Sequence, residues 1–251
     1  MSTIFDLGGK VAIVTGANTG IGQAIALSLA AAGADIAAVG RTPAEETVEK
    51  VRALGRKAEI VSADLSSIEP VQRVVDETIA KLGGLDILIN NAGIIRRADS
   101  VDFTEEDWDA VIDTNLKSTF FLAQAAGRHM LAQGSGKIVN IASLLSFQGG
   151  IRVPSYTASK SGVAGLTKLL ANEWAARGVN VNAIAPGYIA TNNTAALQAD
   201  ETRNRQIQER IPAGRWGDPG DIGGAAVFLA SPAANYIHGH VLAVDGGWLA
   251  R

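Results

Sequence analysis

The stretch VTGANTGIG, residues 14–22, joins a short apolar run to the start of an amphipathic helical pattern. Its glycines, Gly16, Gly20 and Gly22, follow the spacing G-x3-G-x-G. A turn this tight needs residues that tolerate positive φ, and a backbone without Cβ atoms can approach a pyrophosphate closely. The helix that follows would present free N–H groups and its positive dipole end to phosphates. The stretch therefore predicts a dinucleotide-binding loop between the first strand and first helix of an α/β fold.

The rest of the chain repeats this alternation of short apolar runs and longer amphipathic stretches. Seven candidate strands follow one another, at 10–15, 35–40, 58–63, 86–90, 137–142, 179–185 and 241–245. Strands that are apolar on both faces and alternate with helices imply a parallel sheet covered on each side. The sequence therefore predicts one catalytic domain over residues 1–251, a Rossmann-type, doubly wound parallel sheet of about seven strands with helices on both faces.

One segment breaks the alternation. Residues 187–214 carry polar helical stretches with few apolar positions, and they follow the sixth candidate strand. Ligands of open α/β sheets bind beyond the carboxyl ends of the strands. We therefore expect residues 187–214 to form a mobile flap over a substrate site, with a solvated excursion of the chain as the alternative.

Composition narrows the class of protein. The net charge is −3 and no stretch is dense in lysine and arginine, which argues against a nucleic-acid partner. Cysteine is absent, which excludes thiol chemistry and favours a reducing compartment. The amino terminus has no signal-peptide pattern, and no run reaches the roughly 18 apolar residues of a membrane span. These features predict a cytoplasmic protein that binds neither nucleic acid nor membrane.

The end of the second candidate strand bears on the choice of dinucleotide. An acidic residue there would bind the ribose hydroxyls of NAD(H), whereas an arginine suits the 2′-phosphate of NADP(H). The sequence at 38–46 is AVGRTPAEE, with no carboxylate at the strand tip and Arg41 beside it. This pattern favours NADP(H), with NAD(H) as the alternative.

Tyr156 and Lys160 lie four positions apart in SYTASK, residues 155–160. On a helix such positions share one face, so we expect the ammonium group to lie near the phenol and lower its pKa. Carbonyl reduction needs a proton donor of matched pKa, because the alkoxide must be protonated as hydride arrives. Ser143 ends the fifth candidate strand and could hydrogen-bond the same substrate oxygen. The three residues together indicate hydride transfer at a carbonyl group.

The chain resembles the short-chain dehydrogenase/reductase family over nearly its whole length. The motifs that carry the resemblance are TGANTGIG at 15–22, DL at 64–65, NNAG at 90–93, N at 115, S at 143, YTASK at 156–160 and PG at 186–187. The resemblance implies that Tyr156 is the general acid/base, that Lys160 tunes it and binds the nicotinamide ribose, and that Ser143 orients the substrate oxygen. It also implies that Asn115 holds a water linking Lys160 to solvent, and a kinked helix there would explain an interior asparagine.

The same resemblance implies a set of cofactor contacts. Asp64 is expected to contact the adenine, Ile189 the nicotinamide carboxamide through its backbone, and Thr191 the nicotinamide or pyrophosphate end. The expected contacts are Gly16, Asn18, Thr19, Gly20, Ile21, Gly22, Arg41, Asp64, Leu65, Asn91, Ala92, Gly93, Tyr156, Lys160, Pro186, Gly187, Ile189 and Thr191. No metal is expected, because hydride transfer with a tyrosine acid needs no Lewis acid and the histidines lack ligand spacing.

Further stretches are similar to a sugar-acid branch of that family. They are NNAGIIRRADSVDF at 90–103, SLLSFQGGIRVPSYTASK at 143–160, NNTAAL at 192–197, IPAGRWG at 211–217 and AVDGGWL at 243–249. The resemblance implies a small-molecule substrate, a sugar acid of the gluconate or 2-dehydro-3-deoxy-gluconate type. Such a substrate needs many hydrogen-bond partners and a cation, and arginine can bind a carboxylate through two parallel hydrogen bonds. The candidate substrate residues are Arg96, Gln148, Arg152 and Asn192, with Arg97 and Asn193 beside them.

Two alternatives remain. A 3-oxoacyl-thioester reductase acting on acyl carrier protein would use the same catalytic residues, whereas a dinucleotide sensor without catalysis would need none of them. The arginine pair at 96–97 and the polar flap argue against the first, and the intact catalytic set argues against the second. The family usually forms tetramers through the helices near 105–131 and 155–177, so the resemblance also implies a homotetramer.

Overall fold

A computed structural model describes residues 4–251 of the chain as one α/β domain. Its seven strands are β1 Val11–Thr15, β2 Asp35–Gly40, β3 Ala58–Ser62, β4 Ile87–Asn90, β5 Gly136–Ile141, β6 Val179–Pro186 and β7 Val241–Val244. They form one parallel sheet in the spatial order β3-β2-β1-β4-β5-β6-β7. The predicted doubly wound parallel sheet is therefore confirmed, and the strand bounds agree within one residue at each end.

Nine α-helices accompany these strands in the described chain. They are α1 Gly20–Ala31, α2 Glu45–Ala53, α3 Val71–Leu82, α4 Glu105–Ile112, α5 Ser118–Gln133, α6 Pro154–Trp174, α7 Ala195–Ala199, α8 Glu201–Arg210 and α9 Pro219–Ala230. None of them combines the length and hydropathy that a membrane span requires.

The two faces of the sheet carry separate apolar layers. Alternate residues of β1 point to opposite faces, because strand side chains have a period of two. Ala12 and Val14 belong to the core that contains residues of α1, α2 and α9, whereas Val11 and Ile13 belong to the core built with α3, α5 and α6. Burial on both faces explains why β1 reads as an apolar run.

The strand order reverses between β1 and β4. To one side lie β2 and β3, and to the other β5, β6 and β7. In open parallel sheets the crevice at such a reversal, beyond the carboxyl ends of the strands, is where ligands bind. The loops after β1, β4, β5 and β6 meet at this edge and carry most of the motifs identified in the sequence.

The helix that contains Asn115 changes its winding at that residue; the kink expected from the sequence stays a prediction. Between α4 and α5 the chain forms a π-helical segment, Asp113–Lys117, that continues both helices without a break. A π-helical turn widens the helix and leaves backbone groups out of the regular hydrogen-bond ladder. The hydroxyl group of Ser118 donates to the carbonyl oxygen of Thr114 at 2.6 Å, and that of Thr119 donates to the carbonyl oxygen of Asn115 at 2.9 Å. These two carbonyl groups of the segment therefore have side-chain partners.

The flap, residues 187–214, contains α7 and α8 and contributes to a small separate apolar cluster. Ile207 and Ile211 are buried with Trp216 and Trp248 in a cluster separate from the two main layers. The segment is therefore packed against the carboxyl-terminal residues of the chain. Its predicted mobility remains a prediction.

Candidate active site

A cleft of about 480 Å³ lies along the carboxyl edge of the sheet. It is bounded by the glycine loop after β1, the loop after β4, the segment between β5 and α6, and the flap. Of the residues predicted from the sequence, it brings together Gly16, Asn18, Thr19, Gly20, Ile21, Gly22, Asn91, Ala92, Gly93, Ser143, Gln148, Tyr156, Lys160, Pro186, Gly187, Thr191 and Asn192.

The glycine loop has the backbone that the sequence predicts. Gly16 and Gly20 have φ values of 65° and 56°, a region that residues with a Cβ atom rarely adopt. Gly22 has no room for a Cβ atom, which would clash with the carbonyl group of Gly16 and the side-chain amide of Asn91. That amide donates to the carbonyl oxygens of Thr15 and Gly16 at 2.9 and 3.3 Å and fixes the turn against the loop after β4.

The amino terminus of α1 is open to the cleft. Its N-cap residue, Thr19, makes no capping hydrogen bond through its side chain, and Thr19, Gly20 and Ile21 all line the cleft. The first N–H groups of a helix have no partner within the helix, and the helix dipole favours an anion beside them. This terminus and the space left by the glycines fit the pyrophosphate of a dinucleotide.

Lys160 is buried on α6, one helical turn after Tyr156. Its Nζ donates to the carbonyl oxygen of Ile141 at 2.6 Å and lies 5.7 Å from the centroid of the Tyr156 ring. Burial lowers the pKa of Lys160 from 10.5 to about 8. The ammonium group can therefore exchange its proton near neutral pH.

The expectation that the pKa of Tyr156 is lowered is wrong. Burial raises the pKa of Tyr156 above its ordinary value, and a hydrogen bond with the side chain of Ser143 and the positive charge of Arg97 only partly oppose that rise. The Lys160 ammonium is directed to the Ile141 carbonyl, 5.7 Å from the centroid of the Tyr156 ring, and does not reverse the rise. The phenol is consequently held in its protonated form, which is the form that donates a proton.

Asn115 connects the π-helical segment to the loop after β4. It is buried, and its amide group makes two hydrogen bonds with the backbone of Ile94 and a longer one, 3.4 Å, to Ser159 on α6. The structure thus places Asn115 between that loop and the helix of Tyr156 and Lys160. The water relay implied for it stays a prediction.

Two of the candidate substrate residues do not reach the cleft. Arg96 pairs with Asp107 of α4 at 3.1 Å, and Arg152 pairs with Asp99 at 3.0 Å, so the guanidinium groups of both turn to acidic partners outside it. Arg97 lines the cleft instead and donates to the carbonyl oxygen of Asn193 on the flap at 3.4 Å. The arginine of the pair that faces the cleft is therefore Arg97.

The residues that line the cleft give it a positive charge. Three cations, Arg97, Lys160 and Arg203, are among them, and no aspartate or glutamate of the described chain is. Arg203 comes from α8 in the flap and is not among the residues predicted from the sequence. Gln148 also lines the cleft, where its Oε1 accepts a hydrogen bond from Nε1 of Trp248 at 3.3 Å.

Four of the expected cofactor contacts do not line this cleft. Arg41 and Asp64 lie beyond the ends of β2 and β3, with Arg41 Nη1 3.9 Å from Asp64 Oδ2, and both side chains are exposed. The backbone N–H of Ser66 donates to Asp64 and is the main cause of its lowered pKa. Leu65 and Ile189 are buried. No group of three or more potential ligand side chains for a metal occurs within residues 4–251.

The sequence matches a known family and well-described relatives. A family described as enoyl-(acyl carrier protein) reductase matches residues 16–249. The 2-dehydro-3-deoxy-D-gluconate 5-dehydrogenase of Escherichia coli K12 is 59% identical over 98% of both chains, and that of Bacillus subtilis 168 is 58% identical over 98% of this chain and 97% of its own. A crystal structure from Agrobacterium tumefaciens, described as a candidate 2-deoxy-D-gluconate 3-dehydrogenase with bound NADP, is 62% identical. It superposes with a TM-score of 0.94 and covers 99% of this chain and 100% of its own.

Proposed function

Because this chain belongs to the short-chain dehydrogenase/reductase family, we propose that it interconverts a secondary alcohol and a ketone on a sugar acid, with NADP(H) as the hydride carrier. The observation that carries the substrate class is the charge of the cleft, which has three cations and no carboxylate among its described lining residues. The relatives whose names refer to gluconate-type acids, at 58–59% identity, support the same class.

Charge and polarity argue for an anionic polyol. A cation in a partly dry cleft attracts a carboxylate more strongly than it would in water, because the local dielectric constant is lower. Amide side chains of Gln148 and Asn192 offer donors and acceptors for several hydroxyl groups in the same space. A fatty acyl thioester would leave these groups without partners and so lose binding energy.

The proposed chemistry centres on Tyr156. Its protonated phenol donates a proton to the substrate oxygen during reduction, and the phenolate accepts one during oxidation. Ser143, which hydrogen-bonds the tyrosine, orients the same oxygen. NADPH, when bound, supplies the hydride that this proton transfer accompanies. Lys160, with a pKa of about 8, binds the nicotinamide ribose and returns the proton to the tyrosine.

The glycine loop and the α1 terminus would hold the pyrophosphate of the cofactor. Arg41 would hold the 2′-phosphate, since it stands at the end of β2 with most of its side chain free in solvent. The loose pairing of Arg41 with Asp64, at 3.9 Å, leaves its guanidinium available to a phosphate. NAD(H) remains the alternative cofactor.

We also propose a homotetramer that works in the cytoplasm, as the family resemblance implies. Trp108 on α4 and Leu169 on α6 are exposed large apolar side chains on the two helices expected at the subunit contacts. The flap would close over the substrate, since Arg97 already contacts the backbone of Asn193 across the cleft.

A panel of initial rates tests this function. Purified protein would be assayed with NADPH and NADH against 5-keto-gluconate, 3-deoxy-2,5-diketo-gluconate and an acetoacetyl thioester, with the corresponding alcohols for the reverse reaction. We expect turnover of a sugar acid, with NADPH preferred, and none in Tyr156→Phe. Turnover of the thioester alone would reject the sugar-acid substrate and would indicate a 3-oxoacyl-thioester reductase instead.

A further inference from the structure

Arg203 is a second guanidinium group in the cleft, delivered by the flap. It is the third residue of α8 and lines the cleft together with Leu197 and Thr194 of the same segment. Its Nη1 donates to Oε1 of Gln206 at 3.0 Å, and no carboxylate within residues 4–251 pairs with it. Arginine carries five N–H donors, so most of its hydrogen-bonding capacity is left for a ligand.

The guanidinium groups of the neighbouring arginines have partners within the chain, unlike that of Arg203. Arg205 extends towards Glu209 on the same helix, and Arg210 stacks on the ring of Trp248 at 4.0 Å. Just beyond the flap, Arg215 forms a bidentate pair with Asp221. The free guanidinium of the flap is therefore the one that faces the cleft.

Helix α8 is anchored firmly enough to position Arg203. Asp200 caps the helix by accepting from the Arg203 backbone N–H at 3.0 Å, and Ile207 is buried beneath it. Nε1 of Trp216 donates to Oδ1 of Asn204 at 2.7 Å. At the far end, Arg251 donates through Nε to the carbonyl oxygen of Arg210 at 3.1 Å. A cation carried on a helix anchored in this way needs no rearrangement of the backbone to bind an anion.

The two cleft arginines come from different walls of the cleft. Arg97 lies on the loop after β4, where its charge acts on the phenol of Tyr156 and its guanidinium donates to the carbonyl oxygen of Asn193, whereas Arg203 enters from α8 of the flap. A sugar acid oxidised near its far end carries its carboxylate several carbon atoms from the reacting hydroxyl. Of the two guanidinium groups, Arg203 is the one without a backbone partner across the cleft, and it is therefore available to that carboxylate.

We propose that Arg203 binds the substrate carboxylate and thereby sets the preference of this enzyme for acids over neutral polyols. The inference rests on the proposed function and adds to it the residue that recognises the acid group. Because Arg203 belongs to the flap, carboxylate binding would also hold the flap over the cleft, which links recognition of the acid to exclusion of water from the reaction.

The test compares Arg203→Gln with Arg205→Gln, a matched loss of charge two positions along the same helix. Binding of D-gluconate to the enzyme–NADPH complex would be measured by calorimetry, binding of NADPH by fluorescence, and KM and kcat with 5-keto-gluconate. In Arg203→Gln we expect the Kd for gluconate and the KM to rise about 10- to 100-fold, the usual effect of losing a charged hydrogen-bonding partner. Binding of NADPH should stay within twofold, and Arg205→Gln should match the parent enzyme.

Two other outcomes of these binding measurements would overturn the proposal. An unchanged Kd for gluconate would place the carboxylate elsewhere, and a parallel loss of NADPH binding would assign Arg203 to the cofactor. D-sorbitol, which replaces the carboxylate with a hydroxymethyl group, provides the neutral comparison, and its binding should not respond to Arg203→Gln. If the parent enzyme turns over no sugar acid, the proposed function itself fails, and that result is separate from any effect of the variant.

Discussion

The amide side chain of Asn115 forms a closed pair with the backbone of Ile94, in which Oδ1 accepts from the Ile94 N–H at 2.8 Å and Nδ2 donates to its carbonyl oxygen at 2.9 Å. Asn115 lies in the π-helical segment and Ile94 in the loop after β4 that lines the cleft. The asparagine is 1% exposed. One side chain therefore ties the wall of the cleft to the helix layer behind it.

Asn115→Leu should destabilise the protein and remove activity. The substitution keeps the branched shape of the side chain but leaves the N–H and the carbonyl group of Ile94 without their partner. Each unpaired group of this kind costs about 1–3 kcal/mol, so we expect the free energy of unfolding to fall by about 2–4 kcal/mol in urea titrations. Asn115→Asp keeps the acceptor for the Ile94 N–H but turns a buried carboxylate oxygen towards the Ile94 carbonyl group, so its free energy of unfolding should fall at least as far as that of Asn115→Leu. Full stability in Asn115→Leu would contradict this role.

The sheet and the catalytic motifs were predictable because local sequence determines them. A strand buried on both faces reads as an apolar run wherever it occurs, which is why the bounds of β1, β2 and β4 were found within a residue. The spacing of Tyr156 and Lys160 on one helix and the position of Ser143 at a strand end likewise need no knowledge of distant contacts. The structure places these three residues in one cleft.

The charged residues of the cleft were not predictable in the same way. Whether Arg96 or Arg97 faces the cleft depends on Asp107, which belongs to a helix further along the chain and attracts Arg96. Arg203 lies on a polar helix with one buried residue, where no periodic pattern distinguishes one arginine from another. The direction of the Tyr156 pKa shift depends on burial, which is a property of the folded chain.

Gly22→Ala should disrupt the glycine loop, whereas Gly224→Ala should be tolerated. A methyl group at position 22 would overlap the carbonyl group of Gly16, which is fixed backbone. We expect a loss of NADPH binding of at least tenfold, measured by fluorescence titration, together with lower stability. Gly224 is an exposed position within α9 with open space around it, so alanine there should raise the free energy of unfolding by about 0.5–1 kcal/mol. Normal NADPH binding in Gly22→Ala would contradict the proposed pyrophosphate site.

Arg41→Ala should weaken NADPH binding without affecting NADH. Hydrogen bonds to a charged group contribute about 1.5–3 kcal/mol, so the Kd for NADPH should rise about 10- to 100-fold. The two cofactors differ only in the 2′-phosphate, which makes NADH the internal control. Arg52→Ala, at an exposed arginine of α2 that pairs with Glu59, provides the control for loss of surface charge. Equal effects on both cofactors would show that Arg41 does not recognise the phosphate.

The two directions of the reaction should respond differently to pH. Burial holds the pKa of Tyr156 above its ordinary value, so the phenol stays protonated across the usual assay range. Reduction needs the phenol, and its kcat/KM should be flat between about pH 6 and 8. Oxidation needs the phenolate, and its kcat/KM should rise by up to about tenfold per pH unit over the same range.

Arg97→Gln tests whether the pKa of Tyr156 sets the pH dependence of oxidation. The positive charge of Arg97 favours the phenolate, so its removal should raise the pKa of Tyr156 further and move the oxidation profile to higher pH. Arg96→Gln, whose arginine pairs with Asp107 outside the cleft, should leave the profile in place. An oxidation rate that is independent of pH in the parent enzyme would exclude Tyr156 as the titrating base.

Lys160 should make the stability of the fold depend on pH. Burial lowers its pKa to about 8, while the unfolded chain titrates near 10.5, so the unfolded chain binds more protons between these values. Stability therefore rises with pH in this window, and the cost of the buried charge is fully present below about pH 8. In Lys160→Met that cost, on the order of 3 kcal/mol, is absent. The carbonyl group of Ile141 loses its donor in the variant, but that loss is the same at every pH.

The measurement is a series of urea titrations of both proteins at pH 7, 8, 9 and 10. We expect the stability of Lys160→Met relative to the parent to be greatest at pH 7 and to decline steadily from pH 8 to pH 10. Lys137, whose pKa burial also lowers to about 8, is present in both proteins and cancels in the difference. A difference that stays constant with pH would mean that Lys160 titrates alike in the folded and unfolded chains, and it would then have no means of returning protons to Tyr156 near neutral pH.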